Sequence, residues 1–279
     1  MIKNFSDINL IYIAIPFFAL SIMIEVIYTN RKNLKYYEIK DTISSLSMGV
    51  GNVIVITLFK GISIYFYTLL YQYRIFDLGM GWQVWLLLLF SDDFSYYWFH
   101  RFSHRNRYFW ASHVIHHSSK RYNLSTALRQ TWTGLITGTL IFWFWLPLIG
   151  FHPIMIVTMK SISLIYQFWI HTETIKKLPK IFELIFNTPS HHRVHHGTDS
   201  IYVDKNYAGI FIIWDKLFNT FQEEIHTPKY GILHNITSYN PFYIATHEWI
   251  DMFRDLKWKN GVVRNLNYIF KPPEWKHKN

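Results

Sequence analysis

Eighteen residues, His100 to His117, read HRFSHRNRYFWASHVIHH and carry five histidines. A second cluster, HHRVHH, runs from His191 to His196. On a helix, residues four apart project from one face about a turn from each other. His100 and His104 can therefore share one metal ion, as can His113 and His117, while His116 lies on an adjacent stripe and can serve a second centre. HHRVHH repeats the geometry, with His192 and His196 as the pair and His195 beside them. Neutral imidazole suits iron, zinc, copper or nickel, whereas calcium and magnesium prefer oxygen, so a histidine-only set points to a transition metal. A lone histidine is usually a surface residue, but clusters at helical ligand spacing are not explained that way.

Long apolar runs must position these clusters. Half of the 279 residues are hydrophobic and 19% are aromatic, and the apolar residues are blocked rather than scattered. Residues 8–28 form a run interrupted only by Glu25, and about 20 residues suffice to cross a bilayer. Lys3 is a thin basic start and no small-x-small cleavage site follows, so a retained span is expected rather than a signal peptide. Residues 43–71 are almost wholly apolar around Lys60 and exceed the usual hydrocarbon thickness of about 30 Å, so this span must tilt or bend. Residues 82–99 run without a helix breaker into His100. Residues 134–149 and 153–170, joined by GFHP, read as a helical hairpin with His152 at its far tip, away from the clusters, and His171 at its returning end.

Basic residues set the orientation expected of these spans. Arg31, Lys32, Lys35 and Lys40 follow the first span, Arg101, Arg105 and Arg107 the third, and Lys176, Lys177 and Lys180 the fifth. The second loop has only Arg74, offset by Asp77. The reading is an all-α, multi-pass membrane bundle of four to five spans forming one domain, with residues 100–130 and 171–279 as a cytoplasmic histidine-rich helical cap. The net charge of +10 then reflects a surface attracted to anionic headgroups, and nucleic-acid binding is rejected because the charge lies beside the spans. From Ile225 onward the chain is aromatic, amphipathic and basic, as suits a segment lying on headgroups. His226, His234, His247 and His277 lack paired spacing and read as surface residues.

Asp93 lies nearly two turns before His100 on the same stripe, and a carboxylate in lipid is costly unless paired. It is expected to accept an N–H from a ligand imidazole; the competing reading, for Asp92 especially, is an ion pair with Lys60 or Lys160.

The histidine pattern, with DFSYYWFHRFSHR, ASHVIHHSSKRYNLSTALRQ, QFWIHTE and FNTPSHHRVHHGTDSIYVDKNYAGIFIIWDKLFNTF, resembles the fatty acid hydroxylase superfamily, which includes sterol desaturases, and within it most resembles the alkylglycerol monooxygenase branch. The resemblance implies a dinuclear site. His100, His104, His113, His117 and His195 are expected around one metal, and His116, His171, His192 and His196 around the other. Some relatives have a further histidine where this chain has Gln167, so His191 is a candidate replacement, or one metal keeps an open position. Glu173, Asn206, Asn123, Thr126, Arg129, Asn187, Arg193 and Asp204 are candidates to orient imidazoles, bind a headgroup or cap helices, while Tyr207 and Trp214 read as packing residues.

Zinc has no redox chemistry, whereas two irons can share the electrons that split dioxygen, so iron is expected for oxidation of an unactivated lipid C–H bond. The branch resemblance implies attack beside an ether oxygen and a tetrahydropterin reductant. With no cysteine, the chain has no thiolate iron–sulfur or cysteine-linked haem chemistry. With no GxGxxG fingerprint it carries no recognisable reductase, so electrons come from an external donor. The alternatives are a sterol, carotenoid or fatty acyl hydroxylase or desaturase, a zinc-dependent membrane hydrolase, and a metal-binding or transport protein.

Overall fold

Long apolar sequence makes the first two helices of the computed structural model, which describes residues 10–275. These are α1 (Leu10–Arg31) and α2 (Ile39–Tyr71), and both contain stretches long and apolar enough to cross a membrane. Ile8, His277 and the side chain of Lys60 lie outside the described residues. α3 (Trp82–Arg105) runs unbroken through His100 and His104, as its lack of a breaker predicts, and ends at Asn106. The side chain of Asn106 then caps α4 (Arg107–His117) by accepting from Tyr108 N at 3.1 Å. This turn between α3 and α4 folds the first histidine pair back towards HVIHH.

The region 134–149 departs from the expected hairpin arm. Gly138 adopts φ +67°, a 3-10 turn spans Thr139–Trp143, and only α5 (Trp145–Ile149) is regular helix. Hydroxyls compete with the helical pattern here: Thr137 and Thr139 both donate to Gly134 O, at 2.7 and 3.2 Å. The returning arm is helical, α6 (Pro153–Trp169), capped by His152, whose Nδ1 accepts from Ile154 N. His171 follows its last turn, about 25 Å from His152 at 1.5 Å per residue.

The remaining helices are short until the end: α7 (Lys180–Ile185), α8 (Pro189–His195), α9 (Ile213–Leu217), α10 (Pro241–Asp255) and α11 (Gly261–Phe270). Among the described residues there is no strand, only two isolated bridges, Phe186 with Phe211 and Gly197 with Tyr230.

Packing brings four chain segments to one end. Tyr67, Leu88, Trp143, Leu146, Met155 and Met159 interlock α2, α3, α5 and α6, while Phe18 of α1 stacks on Phe168 of α6 at 4.1 Å. Close packing and polar contacts hold these helices together. Gly51 of α2 is one such close approach: a Cβ there would meet the Trp132 indole at 2.3 Å, and that indole donates to Met48 O at 2.9 Å. The end of α1, the start of α2, the end of α3 and the end of α6 thus share a level with α4 and α8.

A candidate dinuclear metal centre

Nine histidines converge in two groups. His100 and His104 of α3, His113 and His117 of α4 and His195 of α8 form one; His116 of α4, His171, His192 of α8 and His196 form the other. Within each group one nitrogen per ring lies within 4.8 Å of all the rest. The grouping coincides with the division expected from the sequence. Local spacing makes the sorting: on α4, His113 and His117 share a face while His116 looks across to His171, and at α8, His192 and the C-cap residue His196 point to one group while His195 points to the other.

Main-chain carbonyls fix the rings. His100 Nδ1 lies 2.7 Å from Tyr207 O, His195 Nδ1 3.0 Å from Lys205 O, His171 Nδ1 2.7 Å from Gln167 O, and His116 Nδ1 3.3 Å from Arg129 O. A carbonyl only accepts, so in each case Nδ1 carries the hydrogen and Nε2 presents a lone pair. Yet His116 Nε2 and His171 Nε2 face each other at 3.0 Å. Two lone pairs at that distance repel unless a cation lies between them. His104 Nε2 and His196 Nε2 are buried with no hydrogen-bond partner, which a metal would also satisfy. Burial, reinforced by neighbouring imidazoles, holds His113, His117, His192 and His196 well below the usual histidine range, and burial foremost lowers His116 to about 4 and His195 to about 3. The rings are therefore neutral at pH 7, the state that binds metal. The donor set fits two transition-metal ions.

Several candidates stand one step further out. Asp93 does not meet an imidazole: its carboxylate accepts from Ile210 N at 2.6 Å, Phe211 N at 2.9 Å and Trp214 Nε1 at 3.0 Å. Those donors would otherwise be buried unpaired, and Gly209 lets the carboxylate approach, since a Cβ there would sit 2.7 Å from Asp93 Oδ1. Asp92 accepts from Trp143 Nε1 at 2.7 Å, and the Lys160 ammonium lies over that indole, 3.1 Å from its centroid. His191 falls outside both groups, because Nε2 pairs with Glu183 at 3.0 Å and Nδ1 lies 3.1 Å from Phe186 O. Gln167 binds Ser163 through its side chain at 3.0 Å and contributes only its carbonyl to His171. Asn206, at φ +55°, pins its loop by donating to His191 O and Gln222 O and accepting from Gln222 N. Glu173 is half-buried outside both groups, its carboxyl raised by burial against the pull of Lys176 and Arg193.

Some positioning residues were not anticipated. Asp215 accepts from Tyr207 N and Ala208 N, each at 2.8 Å, and from Thr220 Oγ1 at 2.6 Å. It thereby fixes the carbonyl that orients His100. Glu25 of α1 accepts from the hydroxyls of Thr172, Thr174 and Tyr37 and from Leu124 N, and so holds the turn after His171. Its signal was present as a carboxylate inside an apolar run. Trp214 was read as packing but donates to Asp93, and His247 is buried rather than on the surface.

A cavity of about 180 Å³ reaches His104, His117, His195 and His196, with Asp204 and Glu274 also lining it. The cavity therefore contacts both histidine groups.

Residues 85–220 match the family model described as fatty acid hydroxylase. The chain is 39% identical over 267 residues to the alkylglycerol monooxygenase of Homo sapiens, covering 94% of this chain and 59% of that protein. Residues 85–220 therefore carry a fatty acid hydroxylase domain. The alkylglycerol monooxygenase of Xenopus tropicalis is 36% identical over 280 residues, covering 98% of this chain and 61% of that protein. An ornithine lipid hydroxylase of Rhizobium tropici is 27% identical over 142 residues, covering 51% of this chain and 42% of that protein. The chain spans about three fifths of the length of the monooxygenases it matches, 59% and 61% here. No solved structure matches it.

Proposed function

We propose that this chain is a multi-pass membrane oxygenase that hydroxylates a lipid carbon beside an ether oxygen, with its nine clustered histidines holding two irons on the cytoplasmic side. The facing lone pairs of His116 and His171 carry the metal part of this reading, since that contact requires a cation. The likeness to two alkylglycerol monooxygenases supports the substrate class. Four spans, made by α1, α2, the apolar part of α3 and α6, with the interrupted 134–149 segment packed against them, and a cap formed by residues 100–130 and 171–275 complete it.

Two irons would supply the redox capacity to reduce and split dioxygen, which zinc lacks. The protein's part is geometric. Tyr207, Lys205, Gln167 and Arg129 hold four rings in one tautomer through their carbonyls, so the donor set needs little reorganisation during turnover. Burial of the histidines keeps bulk water from the reacting carbon. The cavity at His104, His117, His195 and His196 gives that carbon an approach to both groups. Hydroxylation beside the ether oxygen yields a hemiacetal, which collapses to an aldehyde and a glycerol derivative. A tetrahydropterin is the electron donor this reading implies.

The test is anaerobic purification, iron reconstitution, and measurement of oxygen uptake and lipid products with an alkylglycerol and a tetrahydropterin. Aldehyde release that requires iron, oxygen, His116 and His195 is expected. A second reading, hydroxylation of another lipid, takes support from the likeness to an ornithine lipid hydroxylase; oxygen uptake with other lipids but none with alkylglycerol would favour it. No oxygen chemistry with any lipid or donor, together with stoichiometric zinc, would replace both readings with a zinc hydrolase.

A further inference from the structure

α10 is apolar on two sides. Ile244, Ala245 and Met252 are buried, while Phe242 (72% exposed), Ile250 and Phe253 form a second stripe at helical spacing and face outward. α11 buries no residue at all. Its Val262 (75% exposed), Leu266 and Phe270 lie four residues apart on one stripe with Val263 beside them. Between the two helices stands Trp258, 100% exposed, flanked by the exposed Lys257 and Lys259. Nearby carboxylates are engaged elsewhere: Glu248 and Asp255 pair with Arg107, and Asp251 with Arg254.

This surface continues that of the membrane helices. Tyr239, just before α10, is bonded to the start of α2 through Ser44 Oγ at 2.7 Å and Glu38 at 2.6 Å. Phe242 packs on Trp132 at 5.4 Å, the indole that closes over Gly51 of α2. The outward stripe of α10 therefore begins beside Ile39, Ile43 and Val50, the exposed apolar face of α2.

We infer that the α10–α11 hairpin is a foot that lies in the anionic headgroup layer of the bilayer, with Trp258 and the Val262, Leu266, Phe270 stripe inserted and Lys257 and Lys259 against lipid phosphates. An amphipathic helix with little buried surface, an aromatic anchor and adjacent lysines has the chemistry of that layer and of neither water nor a protein core. The foot is joined to the metal helix. Arg107, the first residue of α4, donates its N–H to Lys271 O at 3.0 Å and its guanidinium to Glu248 and Asp255 at 2.7 and 2.6 Å. Asn106 Nδ2 donates to Phe270 O at 3.0 Å, and Pro273 and Glu274, just past α11, line the cavity at His104 and His117. Seating the foot sets the height of that cavity above the lipid; this last step alone rests on the proposed function.

The chain has no cysteine, so a single introduced one is a unique label site. The full chain is placed in nanodiscs of phosphatidylcholine with phosphatidylglycerol, and Trp258→Cys and Val263→Cys are each labelled with a polarity-sensitive fluorophore. Leu20→Cys, exposed near the middle of α1, is the lipid-core reference. The expected result is blue-shifted emission at both foot positions, quenched several-fold more by lipids labelled near the headgroup than by lipids labelled near the chain end, with Leu20→Cys showing the reverse. In a Lys257→Gln, Lys259→Gln background the headgroup quenching should fall, as it should when phosphatidylglycerol is omitted. Water-like emission at both positions, insensitive to either quencher, would overturn the foot. Disulfide-linked dimers of Trp258→Cys with no lipid quenching at Val263→Cys would overturn it too, by assigning the face to a second copy. None of these readouts depends on enzymatic activity.

Discussion

The five-histidine group takes its orienting carbonyls from a single loop, at Lys205 and Tyr207, whereas the four-histidine group takes them from Arg129 and Gln167, in segments far apart in sequence. Their anchors differ accordingly. Asp93 and Asp215 fix the loop beneath the first group through main-chain N–H donors at 2.6 to 2.9 Å. Glu25 fixes the turn after His171, and Arg129 is buried between Asp41 and the end of α4, donating to Ile115 O and Ser118 Oγ. Each half-site thus hangs on buried charges that touch no ring. The cavity adds a second asymmetry, reaching three histidines of the larger group but only His196 of the smaller. Two ions held by separate networks should respond to separate lesions.

Removing a donor gives the largest expected effect. His192→Ala leaves three donors in the smaller group and His195→Ala leaves four in the larger. We expect His192→Ala to bind close to one metal per chain and His195→Ala to retain close to two. Both should lose more activity than the roughly 10- to 100-fold typical of losing an outer partner. Metal counting after reconstitution decides the matter; equal loss from both variants would mean that the groups fill only together.

Next come the anchors. In Asp215→Asn the amide cannot accept from both Tyr207 N and Ala208 N, so one buried donor loses its partner, at a cost of about 1 to 3 kcal/mol. Glu25→Ala has the same defect, because it removes the acceptor of Leu124 N along with that of the Thr172, Thr174 and Tyr37 hydroxyls. Each variant should release one metal to a chelator about 10- to 100-fold more readily and leave the other in place. Double variants with His192→Ala identify which metal is lost. Leakage of the same metal from both variants would remove the distinction drawn between the networks.

Local periodicity explains what was legible in the sequence. Helical spacing sorted His113 and His117 from His116, and the long apolar runs foretold α1, α2, α3 and α6. What escaped were contacts set by tertiary packing. Asp93 was expected to face an imidazole because it shares a helical stripe with His100, but the stripe does not reveal that the 210–214 segment brings three donors to the carboxylate first. Asp215 drew no notice because its partners are main-chain N–H groups eight and seven residues back in the chain. Residues 134–149 were apolar enough for a span, yet Gly138 at positive φ and two threonine hydroxyls broke the helix. Composition reports hydrophobicity there, not continuity.

The smallest expected effect should fall on both groups together, because α8 serves both. Glu183 lies beneath it, accepting from Ser190 Oγ at 2.6 Å and Leu178 N at 2.8 Å and pairing with His191 Nε2 at 3.0 Å. Burial pushes its carboxyl up, but these partners outweigh it and bring the group down from 4.5 to about 2. A carboxyl lowered on folding binds fewer protons folded than unfolded between those values, so its stabilisation is full above about pH 4.5 and drains away as pH falls towards 2. Glu183→Gln should therefore destabilise the fold at neutral pH, by about 1 kcal/mol for one buried hydrogen bond lost, seen as a lower thermal midpoint. The gap to the unsubstituted chain should close as pH falls from 4.5 to 3. A gap that stays constant with pH would assign the residue to packing alone, and a gap accompanied by loss of only one metal would detach α8 from one of the two groups.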